Sequence, residues 1–257
     1  MNNGKVRFVM YNSRQELSLG KALSKKTSIY TGCGNLEAMA EARNYNNYLI
    51  SMIEKTPHGL KNKKILDFGA GTGTYADILR MKGIVVDCLE PDKTLQKTLK
   101  SKGYKILNNI DELETESYDL IYALNVLEHI EDDNKIFSLL AKALTKKGVI
   151  LVYVPAFQSL FSSMDKLVAH YRRYRKPRLR MMAEDNNLEI VELHYCDPIG
   201  FATTLLFKAT PNKSGVISAR SVKLYDRLAF PVSRLIEPGL KHFFGKNVVL
   251  VAKFNGK

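Results

Sequence analysis

The stretch Ile65-Leu66-Asp67-Phe68-Gly69-Ala70-Gly71-Thr72-Gly73-Thr74 decides how the chain is read. Its first four residues suit a short strand buried on both faces. Three glycines at alternate positions then form a turn, because glycine adopts positive φ without strain and lets a ligand approach the backbone. TYADILRMKG (Thr74–Gly83) has helical character and a glycine stop, and a helix N-terminus offers unpaired N–H groups. Glu90 stands 21 residues after Gly69, at the end of the strand-like run IVVDCLE (Ile84–Glu90). In parallel sheets a ligand sits outside the carboxyl ends of the strands at the switch point. A carboxylate there can accept both hydroxyls of a ribose.

The alternation extends outward from this loop. PDKTLQKTLKSKG (Pro91–Gly103) reads as a helix with proline at its start and glycine at its end. YKIL, YDLIYAL (Tyr118–Leu124), GVILVYVP (Gly148–Pro155), LEIVELHY (Leu188–Tyr195) and NVVLVAKF (Asn247–Phe254) supply further strands, and Asp132–Thr145 a further helix. Upstream, Asn35–Lys55 reads as a helix with Asn35 as N-cap, ending before Pro57. Strands alternating with helices call for a mostly parallel α/β sheet with right-handed crossovers. About seven strands result, the last arriving late. The stretch from Cys196 to Gly245 is too long for a hairpin loop and carries its own helical segments, so it reads as an insertion or cap. Pro231 and Pro238 are expected to interrupt any helix there.

Composition excludes several classes. With 257 residues, 45% hydrophobic and 25% charged, the chain suits one large globular domain or one with an insertion. No apolar run approaches a spanning helix, and the first residues lack the pattern of a secretory leader. Three scattered cysteines, Cys33, Cys88 and Cys196, build neither a disulfide framework nor a zinc ribbon. The expectation is a cytoplasmic protein without a metal. Its charge is less ordinary: +13 overall, with 17 basic and 8 acidic residues in 151–257 against 22 and 18 in 1–150. A basic second half biases the surface toward anionic partners.

Which adenosine-bearing ligand the loop serves is partly decided by mismatch. The dinucleotide pattern G-x-G-x-x-G/A places its last position on Thr74 and fails, and no phosphate-loop G-x-x-x-x-G-K-[ST] occurs. What remains, D-x-G-x-G-x-G followed by Glu90, resembles the class I S-adenosylmethionine-dependent methyltransferases, specifically the ubiquinone-type small-molecule group (methyltransferase types 11 and 12). ILDFGAGTGTYADIL is similar to their first motif and LEPD (Leu89–Asp92) to the acidic ribose-binding motif. YDLIYALNVLEHIEDD (Tyr118–Asp133) and LTKKGVILVYVP (Leu144–Pro155) are similar to the fourth- and fifth-strand motifs. The resemblance covers roughly residues 40–196 and the last strand, and says little about the acceptor.

That resemblance implies a Rossmann-like seven-stranded sheet, mostly parallel with its last strand antiparallel, and a helical cap inserted between the last two strands. The expected divisions are an N-terminal helical cap segment (1–60), a cofactor-binding core (61–196), a cap or substrate insertion (197–245) and a final core strand (246–257). It implies S-adenosylmethionine as cofactor. Gly69, Ala70, Gly71 and Gly73 would pass close to its methionine part, and Asp67 would orient the loop or reach the amino group. Glu90 would hold the ribose as an exposed acceptor, and Pro91 would flank the adenine. Among Asn109, Ile110 and Asp111 the adenine contact has no clear winner, with Ile110 carried as the candidate. Asn125 would lie near the sulfonium.

Methyl transfer from a sulfonium is an in-line displacement in which the protein mostly positions the reactants. An oxygen or nitrogen acceptor still needs its proton removed. His129 and His170 are the candidate bases, although Glu128 and His129 could equally shape a helix entry beside the sheet. Asp165-x-x-x-x-His170-Tyr171-Arg172-Arg173-Tyr174 is similar to a motif of one methyltransferase subgroup found beside polyprenyl- or sugar-modifying enzymes. Asp165, Tyr171, Arg172 and Arg173 are therefore candidate substrate residues. On a continuous helix, residues five apart align poorly, so joining Asp165 to His170 requires a loop.

His170–Arg180 holds six basic residues in eleven. It suits an anionic, glycosyl or lipid-linked small-molecule acceptor. It also suits an RNA surface, though no recognisable RNA-binding module accompanies it and nucleic acid is the weaker reading. Val222–Phe244 mixes apolar residues and cations, which suits either packing on the core or peripheral contact with a membrane. Acceptor entry is expected beneath 159–180 and 198–245. The different-class alternative is a non-catalytic S-adenosylmethionine-binding protein that docks RNA or membrane through its basic face.

Overall fold

The computed structural model describes residues 39–209 and 218–254. The expected N-cap, Asn35, lies outside these residues, as does Cys33. The expected helix is broken: Met39 and Ala40 are helical, and after a break at Glu41 and Ala42 α1 spans Arg43–Glu54. A side chain from far along the chain explains this start. Asp226 accepts from the backbone N–H groups of Asn44 and Tyr45 at 2.9 and 2.8 Å, capping α1 across more than 180 residues.

Seven strands form one sheet in the order β3-β2-β1-β4-β5-β7-β6. They are β1 Ile65–Phe68, β2 Asp87–Leu89, β3 Ile106–Leu107, β4 Tyr118–Leu124, β5 Leu144–Pro155, β6 Leu188–Cys196 and β7 Asn247–Phe254. β1 to β5 pair in parallel, and β7 inserts antiparallel between β5 and β6. This is the Rossmann-like arrangement the motifs imply. Strand order reverses direction at β1 and β4, so the crevice outside their carboxyl ends is the geometric place for a ligand.

Helices cover both faces, as an apolar parallel sheet demands. One face packs α4 (Asp133–Ala143) and α6 (Lys176–Glu184) through Phe137, Leu140, Leu179 and Met182. The other packs α1, α2 (Thr74–Met81) and α3 (Lys93–Ser101) through Leu49, Ile53, Leu79 and Leu99. α3 starts two residues after Pro91, because Asp92 is its N-cap and accepts from the N–H groups of Thr94 and Leu95.

Between β6 and β7 lie α7 (Pro198–Ala209), α8 (Ala219–Leu224) and α9 (Phe230–Leu240). The expected proline interruptions do not occur. α8 runs into α9 through a π-helical turn at Tyr225–Ala229, with Pro231 in the first turn of α9 and Pro238 inside its last. The wider turn just before Pro231 accommodates this residue, which cannot donate a backbone hydrogen bond, and Pro238 forgoes one bond in the last turn without ending the helix. Val222 and Phe230 from this segment join the core beside α1. No described helix is long and apolar enough to cross a membrane.

Candidate active site

A cavity of about 270 Å³ opens at the carboxyl ends of β1, β2, β4 and β5. Its first wall is the glycine loop. Gly69 has φ of +79°, and a Cβ there would meet the Val126 side chain at 2.5 Å, so only glycine lets the fourth-strand loop close against it. Gly71, at φ +57°, would carry a Cβ into open space. Its N–H instead donates to Glu90 Oε2 at 2.9 Å, while Asp92 N–H donates to Glu90 Oε1 at the same distance. Glu90 is fully buried rather than exposed, which corrects the picture of a free ribose acceptor. Burial raises its carboxyl to about 6, against the lowering effect of those two N–H groups.

Asp67 breaks the apolar pattern of β1. It is buried in a strand with no solvent on either face, a position that penalises a carboxylate. Burial pushes it up to about 7, and Glu90 nearby adds to the rise while Tyr122 opposes it. Asp67 is among the residues that line the cavity, and its Oδ2 is buried without a hydrogen-bond partner. An orphaned acceptor beside a glycine cradle fits the ammonium end of an amino-acid-bearing nucleoside, and Glu90 beyond it fits a sugar diol.

The opposite wall is made by the loop after β4 and the segment after β5. α5 (Ser163–Leu167) carries Asp165, and Ala169 at φ +57° then turns the chain sharply back. The turn brings His170 Nδ1 to 2.8 Å from Asp165 Oδ1. Arg173 completes the arrangement by donating Nε to Oδ1 at 2.7 Å and Nη2 to Oδ2 at 2.9 Å of the same carboxylate. Burial alone would raise Asp165, but His170 and Arg173 outweigh it and hold the carboxyl well below its usual range. An ionised carboxylate only accepts, so His170 Nδ1 carries a proton, and in the neutral ring Nε2 is the acceptor.

Glu128 lies 3.8 Å from that Nε2, fully buried, with neither oxygen hydrogen-bonded. Burial pushes it up to about 7, and His170 opposes the rise. The His129 ring meets the His170 ring edge-on at 4.6 Å between centroids. Burial and the neighbouring imidazole lower His129 to about 3, so it stays neutral at ordinary pH. Glu128, His129 and His170 each bring one donor atom within 4.8 Å of the others, a spacing a single cation could span.

A methyltransferase-domain family model matches residues 39–193, well over half of the chain. The chain belongs to this family. The ubiquinone biosynthesis O-methyltransferase of Rickettsia bellii is 28% identical over 171 residues, spanning 57% of this chain and 70% of that protein. The corresponding enzyme of Rickettsia conorii is 28% identical over 163 residues, spanning 55% and 56%. A S-adenosylmethionine-dependent methyltransferase from Archaeoglobus fulgidus shares the fold with TM-score 0.56 at 17% identity, covering 82% of this chain and 94% of that one. Phosphoethanolamine N-methyltransferase 2 from Haemonchus contortus, crystallised with S-adenosyl-L-methionine, aligns with TM-score 0.57 at 16% identity, covering 86% and 57%. The chain is thus a S-adenosylmethionine-dependent methyltransferase, and the cofactor implied by the loop is the family's own.

Of the residues the sequence singles out, Asp67, Gly69, Ala70, Gly71, Glu90, Pro91, Asn125, His129, His170 and Arg173 line the methyltransferase cavity. Five others do not. Gly73 caps α2, where a Cβ would press on Leu99 at 2.9 Å. Ile110 is packed in the core. Asp165 sits behind His170. Arg172 is turned away from the cavity, donating to Asp133 Oδ1 and to Glu131 O. Tyr171 is exposed beside it.

Several wall residues were not anticipated. Tyr45 reaches Asn125 Nδ2 with its hydroxyl at 3.4 Å, and Asn125 in turn accepts from Asn247 Nδ2 at 3.4 Å. Lys246, just before β7, lines the cavity, and burial lowers its ammonium from the usual lysine value. The apolar residue patterns give no signal for these positions, because each arrives from a distant part of the chain. Glu128 stands in the LEHI motif, where the sequence alone marks it only as a neighbour of His129 at a helix entry.

Proposed function

We propose that this methyltransferase methylates a small-molecule acceptor at oxygen, with His170 as the general base. The observation that carries this reading is the fixed His170–Asp165 contact, which leaves Nε2 as the basic atom on the cavity wall opposite the glycine loop. Similarity to ubiquinone biosynthesis O-methyltransferases supports an oxygen acceptor. When bound, S-adenosylmethionine supplies an electrophilic methyl group; Asp67, the Gly69–Gly71 backbone and Glu90 would hold it.

The chain's own contribution is positioning and proton handling. An acceptor hydroxyl on the His170 side loses its proton to Nε2. The imidazolium that forms is stabilised by ionised Asp165 and by Glu128, while Arg173 fixes the carboxylate in place. His129, held neutral, contributes a second imidazole face without adding a competing positive charge. Lys246 at the rim complements an anionic group on the acceptor, in keeping with the chain's positive balance.

Incubating the protein with methyl-labelled cofactor and panels of phenolic, hydroxylated and amine acceptors tests the reading, with mass spectrometry locating the new methyl group. Label on oxygen supports it. Label found only on nitrogen or carbon, with His170→Gln retaining full turnover, overturns it.

A further inference from the structure

The continuous helical path from Ala219 to Leu240 has two opposite faces. Its inward stripe, Val222, Asp226, Phe230, Ser233 and Glu237, is buried. Offset from it by half a turn, Leu224, Leu228, Val232, Leu235 and Ile236 point outward at the spacing of one helical stripe, three of them 60% to 80% exposed. Exposed apolar side chains standing singly need no explanation, but five in register along one helix do.

The charges on this helix are sorted in the same way. Both of its acidic residues face inward: Asp226 caps α1, and Glu237 accepts from Tyr48 Oη at 3.1 Å and Asp197 N–H at 2.9 Å. Its exposed charges are all cationic, Arg220, Lys223 and Arg227 running alongside the leucines. Lys223 meets exposed Glu41 at 3.1 Å, and among the described residues Arg220 and Arg227 have no ion-pair partner. A helix whose own exposed residues form an apolar stripe flanked by cations, with no anion among them, has the pattern of one lying in a lipid interface, its apolar side chains among acyl chains and its cations at headgroup phosphates.

We infer that the outer face of α8–α9 docks this methyltransferase on an anionic lipid surface. The other possible occupants carry the wrong charge. Residues 1–38 hold six basic and two acidic groups, so this segment is repelled by Arg220, Lys223 and Arg227. A second copy joined by two-fold symmetry would set the same cations against each other. A bilayer rich in anionic headgroups meets both the apolar and the cationic demand. The inner face of the same helix places Val222 in the cavity wall, so docking would hold the cavity close to the lipid surface. The inference concerns the outer face alone and is independent of the acceptor chemistry proposed above.

Flotation of the full chain with vesicles tests it without turnover. Recovery on phosphatidylglycerol–phosphatidylcholine vesicles at low salt is expected, with little on phosphatidylcholine alone. The triple substitution Arg220→Gln, Lys223→Gln, Arg227→Gln is expected to weaken partitioning roughly a hundredfold, each cation near an anionic surface counting for about a factor of five. Leu228→Glu with Leu235→Glu, at solvent-facing positions that leave the thermal transition in place, is expected to reduce it at least about tenfold. Equal recovery on both vesicle types, or none on either, overturns the inference. So does a concentration-dependent dimer, seen by sedimentation, that the leucine substitutions disperse without affecting vesicle recovery.

Discussion

The His170 imidazole and the Asp165 carboxylate meet at 2.8 Å, although four residues of chain and the end of a helix lie between them. Left-handed backbone at Ala169 makes the meeting possible. Arg173 holds the same carboxylate from the other side with two hydrogen bonds, so the imidazole is oriented by a charge that cannot move. Orientation of this kind is what separates a base from a buried histidine that merely packs.

If His170 is the base, His170→Gln should lower turnover by about 10²- to 10⁴-fold, the usual contribution of a positioned base. Affinity for S-adenosylmethionine should stay within about twofold, since His170 stands on the acceptor side. Calorimetry and product formation measured on the same preparation separate the two. A comparable loss in both would make the residue structural.

Arg172 and Arg173 are adjacent in sequence but should behave differently. Removing the Arg173 side chain leaves a buried Asp165 without its main partner, and should cost about 3–5 kcal/mol as well as turnover. Arg172→Ala leaves Asp133 with Arg178 and Tyr174 still bonded to it. It should cost about 1 kcal/mol or less and leave turnover near the parent value. Thermal unfolding together with activity assays checks both, and equal behaviour of the two variants would contradict the geometry.

Cofactor affinity should depend on pH. Asp67 is raised to about 7 and Glu90 to about 6, chiefly by burial, and the ionised forms are the ones that accept the cofactor's donors. Affinity is therefore expected to strengthen as pH rises from 5.5 to 7.5, by up to about tenfold per pH unit for each group still titrating. Asp67→Asn should flatten the upper part of that profile. Titration calorimetry across this range reads the effect directly.

Glu128 makes an opposite prediction for stability. Burial raises its carboxyl from 4.5 to about 7, so the folded state holds the proton more tightly than the unfolded chain. Stability is then present at low pH and declines as pH rises through this window. Replacing Glu128 by Gln removes the cost of ionisation. It should stabilise the chain at pH 8 by about 2 kcal/mol, or about 4–8 °C in Tm, with little change at pH 5. A destabilised variant at pH 8 would mean that the ionised carboxylate has a stabilising partner.

What the sequence made legible was local. The run from Ile65 to Thr74 carries its own strand, turn and helix signals, so both the fold and the cofactor loop could be read from one segment. Asp67 stood out because a carboxylate in a buried strand contradicts its surroundings, a mark of function. The rest depended on long-range contacts. Nothing near Arg43 announces that Asp226 caps its helix, and nothing near Lys246 or Tyr45 places them on the cavity wall. Arg172 and Arg173 look alike as letters, and only the path of the chain after Ala169 sends one to Asp133 and the other to Asp165. Ile110 is packed in the core rather than on the cavity wall, because an isoleucine in a short irregular segment packs inward as readily as it lines a cavity. The prolines mislead because a π turn just before Pro231 takes up what a regular helix cannot, and because Pro238 falls in the last turn of α9.

If the hollow between Asp67 and Glu90 receives the cofactor, the His170 side is left for the acceptor. A crystal structure of the protein with S-adenosylhomocysteine tests this most directly. The account predicts the ligand's amino group within hydrogen-bonding distance of Asp67 Oδ2 and its ribose against Glu90. Density for the ligand against Glu128 and His170 instead, or at no point along the glycine loop, would contradict it.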